Sequence, residues 1–302
     1  MLWTFSLSVQ GESHKKKEIE NPGRVFPCQD NSDDDIYKKT QDFPAAVISV
    51  ADGHGSPAYF RSKTGSKKAI ELGNYAQKIF SEEVIKNYLS DKNVVKEEFS
   101  KAYMRNFTKE WKLGIEKDLQ RNPITEEEKE YLKKEDIHAL QKYLTALEEK
   151  NIEELLPIYG TTLCSAMLIP KIGLFAMQLG DGNIAIKYKD EPFITAVADD
   201  KNCFLNQTTS LCDKDSQNEI RFFATQKIPE CVFCCTDGFE NSFKDETQLM
   251  DVYQKVYDLF KSYGGSEITK KNLALEELRD WLPKLSKKGS GDDISLAGII
   301  LE

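Results

Sequence analysis

The sequence is poor in histidine, in basic surplus and in long apolar runs, and each shortage removes a class of function. Three histidines, His14, His54 and His138, serve all 302 residues. No His-Glu-x-x-His pair is among them, which excludes zincin-type metalloproteases and leaves a histidine-based nucleophile system few residues to draw on. Lysine and arginine (41) are outnumbered by aspartate and glutamate (50), so the net charge is 41 − 50 = −9. Without a positive excess the chain lacks the footprint that a phosphate backbone selects, which argues against a nucleic-acid binder. Apolar stretches such as Phe43 to Ala51 and Gly173 to Leu179 fall well short of the roughly 20 residues a membrane-spanning helix needs. Trp3 to Gln10 alternates apolar and polar residues, the period of a half-buried strand and not of a signal peptide, so a cytoplasmic protein is expected. Neither a G-x-x-x-x-G-K-[ST] loop nor a G-x-G-x-x-G turn follows a strand-like run, and nucleotide loops are unsupported. The seven cysteines are odd in number and sit mostly among apolar neighbours, which suits reduced core thiols better than a disulfide framework. Cys231 and Cys234 have the spacing of a zinc pair, but no second pair stands at zinc-finger distance and the segment reads as a buried strand.

What is present is a hydrophobic fraction of 40%, enough for a folded core. A chain of about 300 residues buries roughly three quarters of its unfolded surface and lies near the upper limit for one core, so a single domain over 1–302 is expected. Strand signals at 3–10 and 44–51 are separated by a polar stretch expected to be loop. A helix should start near Ser62, with Ala69, Ile70, Gly73, Ala76, Ile79 and Phe80 packing on a sheet. From Ser81 to Leu156 the chain turns dense in Glu and Lys and reads as a helical insertion or lid. There Phe99, Tyr103, Phe107 and Trp111 form one stripe of an amphipathic helix. Asn122-Pro123 ends it, Thr125 starts another helix, and a third covers Asp136 to Lys150. Strands return at Thr161–Ile169, Gly173–Leu179, Asn183–Tyr188 and Cys231–Cys235. Two helices follow, around Leu249–Phe260 and Leu275–Leu285, and Ile294–Leu301 closes the chain as a strand. Runs of strands and of helices in this order indicate an α+β fold and not a doubly wound parallel sheet.

Acids at strand ends carry the chemistry. Val47 to Ala51 ends in Asp52-Gly53-His54-Gly55, Val232 to Cys235 ends in Thr236-Asp237-Gly238, and Asp292-Asp293 precedes the last strand. Asp-Gly alone is an ordinary turn dipeptide. Three such acids at one sheet edge cannot all stay ionised without cations, and hard oxygen ligands without histidine or thiolate select magnesium or manganese.

These residues, with Cys28-Gln29-Asp30, Gly160-Thr161-Thr162, Gly180-Asp181-Gly182 and Asp292-Asp293-Ile294-Ser295, stand in the order and approximate spacing of the metal-dependent protein phosphatase 2C family, which the chain resembles over nearly its whole length. Gly11-Glu12-Ser13-His14 and Asn206-Gln207-Thr208-Thr209 resemble its bacterial branch. The resemblance implies a four-layer α-β-β-α sandwich of two antiparallel sheets with two divalent ions, Mn2+ or Mg2+, at one end. It implies that Asp52 bridges the metals, that the Gly53 carbonyl completes one shell, and that Asp237 and Asp292 hold the other ion. Asp30 would serve the second site and Asp293 either that site or the turn. A metal-bridging hydroxide would attack the phosphorus of a phosphoserine or phosphothreonine protein, and His54 would protonate the leaving oxygen.

Departures are equally specific. Gln29 stands where the family has a metal-binding glutamate, and Val25 where it has a phosphate-binding arginine; Arg24, His14 and Lys15 are the candidates to replace that arginine. Pro157 replaces a third-metal aspartate. Asp181 reads as a structural hairpin turn. An inactive phosphoprotein-binding relative and a small-molecule phosphomonoesterase are the competing readings, and the 81–156 segment is a candidate surface for a protein partner.

Overall fold

Apolar, β-branched runs bounded by Gly, Pro and Asp become strands, and the charged amphipathic runs become helices. The structure is a computed structural model that describes residues 2–38, 42–92, 94–104, 106–198, 200, 208–263 and 267–301. Cys203, Asn206 and Gln207 lie outside the described residues, as does the side chain of Tyr103. In chain order the elements begin with β1 (Leu2–Val9), α1 (Glu12–Glu20), β2 (Asn31–Tyr37) and β3 (Ala45–Ala51). A helical stretch follows: α2 (Ser62–Ser90), α3 (Glu97–Met104), α4 (Phe107–Arg121), α5 (Glu126–Glu135) and α6 (Ile137–Glu149), then a 3-10 segment at Ile152–Tyr159. Next are β4 (Leu163–Ile169), β5 (Gly173–Leu179), β6 (Asn183–Lys187), β7 (Phe193–Thr195), α7 (Ser216–Glu219), β8 (Arg221–Thr225) and β9 (Cys231–Cys235). The chain closes with α8 (Asp237–Glu240), α9 (Glu246–Ser262), α10 (Glu267–Lys288) and β10 (Ile294–Leu301).

The strands form two five-stranded sheets, β1-β10-β9-β6-β7 and β2-β3-β4-β5-β8, with antiparallel pairing throughout. Ile48, Val50, Ala166, Leu174, Ile186, Val232 and Ile299 fill the space between them. Phe5, Phe233, Tyr253, Phe260 and Leu278 join the first sheet to α9 and α10, while Val47, Phe80, Val84 and Phe175 join the second to α2. The architecture is the α-β-β-α sandwich expected. Alternation along β9 sends Cys231 and Cys235 to the helix side and Cys234 to the inter-sheet core, so this strand offers no paired thiols for zinc.

Two expectations are corrected. The polar stretch between β1 and β3 is not loop: it holds α1 and the edge strand β2. Asp33 and Asp34 disfavour a strand in isolation, but across the sandwich Thr4 and Ser6 donate to Asp34 at 2.6 and 2.7 Å, and Asn74 of α2 donates to Asp33 at 2.9 Å. The aromatic stripe is also not one helix. Phe99 on α3 packs on Phe80, with ring centroids 5.4 Å apart, whereas Phe107 and Trp111 on α4 enter a separate core with Leu132, Tyr143 and Tyr159. The break between α3 and α4 lets one run serve two cores.

Candidate metal centre

Antiparallel register brings the acids together. Asn31 pairs with Ala51, Leu163 with Leu179, Val9 with Ile294, and Cys235 with both Leu296 and Asn183. The C-terminal ends of β3, β5 and β9 and the N-terminal ends of β2 and β10 therefore lie at one end of the sandwich, and each carries an aspartate just beyond the strand. The Gly-Thr-Thr segment fixes the first of them. Thr161 Oγ1 and the Thr162 backbone N–H donate to the Asp52 carbonyl at 2.7 and 2.9 Å, and the Asp52 N–H donates to Thr162 Oγ1 at 3.1 Å. Gly53 lies so near the Gln29 carbonyl that a Cβ would be 2.6 Å from its oxygen, so only glycine fits there.

Carboxylate oxygens of Asp52, Asp181 and Asp237 all lie within 4.8 Å of one another. Burial, then Asp30, Asp237, Asp292 and Asp181 in turn, hold the Asp52 carboxyl well above the usual range. Burial, with Asp181 and Asp292, pushes Asp237 up to about 6. Asp181 is raised by burial, and its Oδ1 is buried without a donor. Crowded carboxylates short of donors have the chemistry of a cation seat, and an all-oxygen set suits Mg2+ or Mn2+. The residues fit a divalent ion.

The other expected residues divide into those at the centre and those turned to other work. Asp30, buried at the start of β2, accepts from Thr236 Oγ1 at 2.6 Å; burial first and then Asp293 raise its carboxyl. Asp292 is exposed at the rim, close enough to raise both Asp52 and Asp237. Asp293, 4% exposed, accepts from the backbone N–H groups of Gly11 and Gln29, both at 2.6 Å. His14 Nδ1 stands 3.1 Å from Asp293 Oδ1, an electrostatic contact and not an aligned hydrogen bond. Burial would raise Asp293, yet these partners leave it below its ordinary value. His14 is thus buried against a structural anion, with Lys15 beside it on α1. Arg24 is 3.2 Å from Glu135 of α5, with its guanidinium 4.2 Å from the centre of the Tyr131 ring. Gln29 donates its amide to the His54 carbonyl (3.2 Å) and to Ser62 Oγ (2.7 Å), tasks no carboxylate could perform. His54 is pushed down to about 4 by burial, and its ring stands edge-on to Tyr59 at 4.9 Å.

Asp181 is the residue that sequence reasoning misplaced. β5 and β6 belong to different sheets, so Gly180-Asp181-Gly182 is a crossing between sheets and not a hairpin. Gly180 takes φ +97°, its N–H donates to Thr209 Oγ1 at 3.1 Å, and Arg221 donates to its carbonyl. The available signal was the pattern itself: a buried strand ending in Asp-Gly, as at Asp52 and Asp237. Thr236 was also missed. Its hydroxyl ties Asp30 to the Ser295 N–H at 2.9 Å, linking the ends of both sheets.

No curated protein matches this sequence. Among solved structures, a bacterial serine phosphatase is similar over 100% of this chain and 98% of its own at 12% identity, with a TM-score of 0.52. The serine/threonine phosphatase Stp1 of Staphylococcus aureus is similar over 100% and 96% at 12% identity, with a TM-score of 0.51. These likenesses bear out the sandwich fold. A family model of protein phosphatase 2C matches residues 20–283, most of the chain, and the protein belongs to that family.

Proposed function

We propose that this protein is a Mg2+- or Mn2+-dependent serine/threonine protein phosphatase of the cytoplasm, acting as one domain over 1–302. The observation that carries the reading is the convergence of Asp52, Asp181 and Asp237 with a buried, donor-free oxygen. Asp52 and Asp237 would hold the ions, with Asp181, Asp292 and the Gly53 carbonyl beside them and Asp30 behind. Divalent ions bound there supply charge neutralisation for a phosphate and an acidified water for in-line attack. The chain's own residues do the rest. Thr161 and Thr162 hold the Asp52 backbone, and Asp293 ties Gly11 to Gln29 so that Asp30 meets Thr236. His54 is neutral in its buried setting, and a phosphate dianion beside it opposes that shift, so that the imidazole takes up a proton and passes it to the serine or threonine oxygen.

Hydrolysis of p-nitrophenyl phosphate by the purified chain should require Mn2+ or Mg2+ and vanish in Asp237→Asn. Phosphoserine peptides should outcompete the aryl ester, as expected for a protein substrate. A folded, Mn2+-loaded protein with no turnover above a metal-only blank would overturn the enzymatic reading and favour a phosphoprotein-binding one.

A further inference from the structure

The helices between β3 and β4 are attached to the loop that carries His54, and the attachment centres on Arg61. The guanidinium has five N–H donors, and all five are engaged. Nε and one Nη2 hydrogen reach the two carboxylate oxygens of Glu128 on α5, each at 2.7 Å. The second Nη2 hydrogen goes to the Pro123 carbonyl at 3.0 Å, and Nη1 serves the Asn122 carbonyl at 2.7 Å and Tyr159 Oη at 2.8 Å. Tyr159 in turn donates to Asp118 of α4 at 2.7 Å. Glu128 is itself fixed, because it closes the capping box of α5 with Thr125. The Arg61 side chain is 11% exposed and the Glu128 side chain 25%. A bidentate pair this far out of water holds geometry better than surface ion pairs do.

The same residue grips both walls of the His54 niche. On one wall, the His54 N–H donates to the Gly160 carbonyl at 3.1 Å, and a Cβ at position 160 would lie 2.6 Å from His54 Cδ2 and 2.7 Å from the Tyr59 ring. Gly160 is therefore the surface on which the imidazole rests, and residues 158 and 159 lead the chain into it. Arg61 binds that lead-in twice, through Tyr159 Oη and through its own N–H to the Ile158 carbonyl at 3.0 Å. On the other wall, Arg61 ends the loop that begins at His54, and α6 holds the middle of this loop through Tyr143 Oη, which donates to the Ala58 carbonyl at 3.0 Å. Two segments distant in sequence, 54–61 and 158–160, are thus tied by the backbone N–H groups of His54 and Arg61 and by the Arg61 guanidinium, which alone anchors the pair in α5.

We propose that Arg61 is a positioning residue for His54, and that helices α4–α6 brace the proton-transfer side of the active site through it. The proposal rests on the phosphatase reading above, which gives His54 its task. Misplacing a reacting group by about 1 Å costs up to about 100-fold in rate, so the brace should be visible in kcat while the metal centre, whose Asp52 backbone is held separately by Thr161 and Thr162, stays intact.

The test compares Arg61→Gln, Arg61→Lys and Glu128→Gln with wild type in the full chain. It uses steady-state hydrolysis of a phosphoserine peptide with Mn2+, since an alkoxide leaving group needs the proton, calorimetric Mn2+ titration, and the His54 ring resonances recorded with Mg2+ and assigned with His54→Asn. Arg61→Gln and Glu128→Gln should each lower kcat about tenfold, with KM and Mn2+ affinity held within about twofold and the His54 resonances shifted. Arg61→Lys should keep part of the rate, since a lysine retains the charge and loses the fork. In the His54→Asn background, Arg61→Gln should cost less than about twofold more, because it acts through the residue already removed. Wild-type kcat and unmoved His54 resonances in folded Arg61→Gln and Glu128→Gln would overturn the proposal, as would a full multiplicative loss in the double variant. Should Arg61→Gln not fold, Glu128→Gln and Arg61→Lys decide on the same readouts. A wild type that binds Mn2+ without turning over would remove the phosphatase reading, and the His54 resonances of the variants would still decide whether Arg61 positions the ring.

Discussion

Asp293 and the Asp52–Asp181–Asp237 group lie at the same end of the sandwich, on the same residue type, and their carboxyls are driven in opposite directions. Asp293 is buried but receives two backbone N–H groups at 2.6 Å with His14 alongside, and it titrates below its ordinary value. Asp52 and Asp237 are raised by burial and then by the carboxylates around them, and Asp181 keeps an oxygen with no donor. The difference shows how one fold separates a structural anion from a cation seat. Donors supplied by the chain complete the first, whereas in the second a buried carboxylate oxygen is left without one, the chemistry that suits a cation.

Asp52→Asn breaks the comparison most strongly. Substitutions in the outer shell of metal sites already cost about 10- to 100-fold, so loss of Asp52 should remove more than about 100-fold of Mn2+-dependent turnover in an aryl phosphate assay. The metal-free variant should nevertheless melt higher than metal-free wild type, because one repelling charge is gone. Asp293→Asn should do the reverse. An amide presents an N–H to a backbone donor already there, and the variant should lose about 2–3 kcal/mol in denaturant unfolding while still binding Mn2+. Equal stability of the two variants would erase the distinction between the two kinds of aspartate.

The third effect is on pH. Asp237, raised from 3.8 to about 6, is penalised only when ionised. The penalty on the metal-free protein is absent below about 3.8, grows between there and 6, and is complete above 6. Its melting temperature should fall by several degrees across that window, at roughly 2 °C per kcal/mol for a chain this long. Saturating Mn2+ should flatten the slope, and a slope unchanged by Mn2+ would mean that the ions bind elsewhere.

Much of this was legible before folding. Strands buried on both faces, such as Ala45–Ala51 and Cys231–Cys235, announce themselves as continuous apolar runs, and the Thr125 capping box marks a helix start from local chemistry alone. Missed strands lie at sheet edges. β2, β7 and β8 each pair on one side only, so their residues carry a weak hydrophobic pattern. β8 pairs with β5, with β6 and β7 lying between them in the chain, and β2 is held also by Thr4, Ser6 and Asn74. The departure at Gln29 was visible, but not its use, since a donor to the His54 carbonyl exists only once residues 29 and 54 are neighbours.

The order of motifs and the identity of the acids were determined by the sequence alone, because a strand followed by Asp-Gly is a local pattern of burial and turn chemistry. Which acids gather in the crowded carboxylate group and which become anchors was decided only in three dimensions. Whether a carboxylate finds an N–H depends on which chain segments meet it, and at Asp293 those are Gly11 and Gln29, 282 and 264 residues away. Asp181 carried the same turn signal as Asp52 and Asp237, and only the crossing from β5 to β6 between the sheets set it among them.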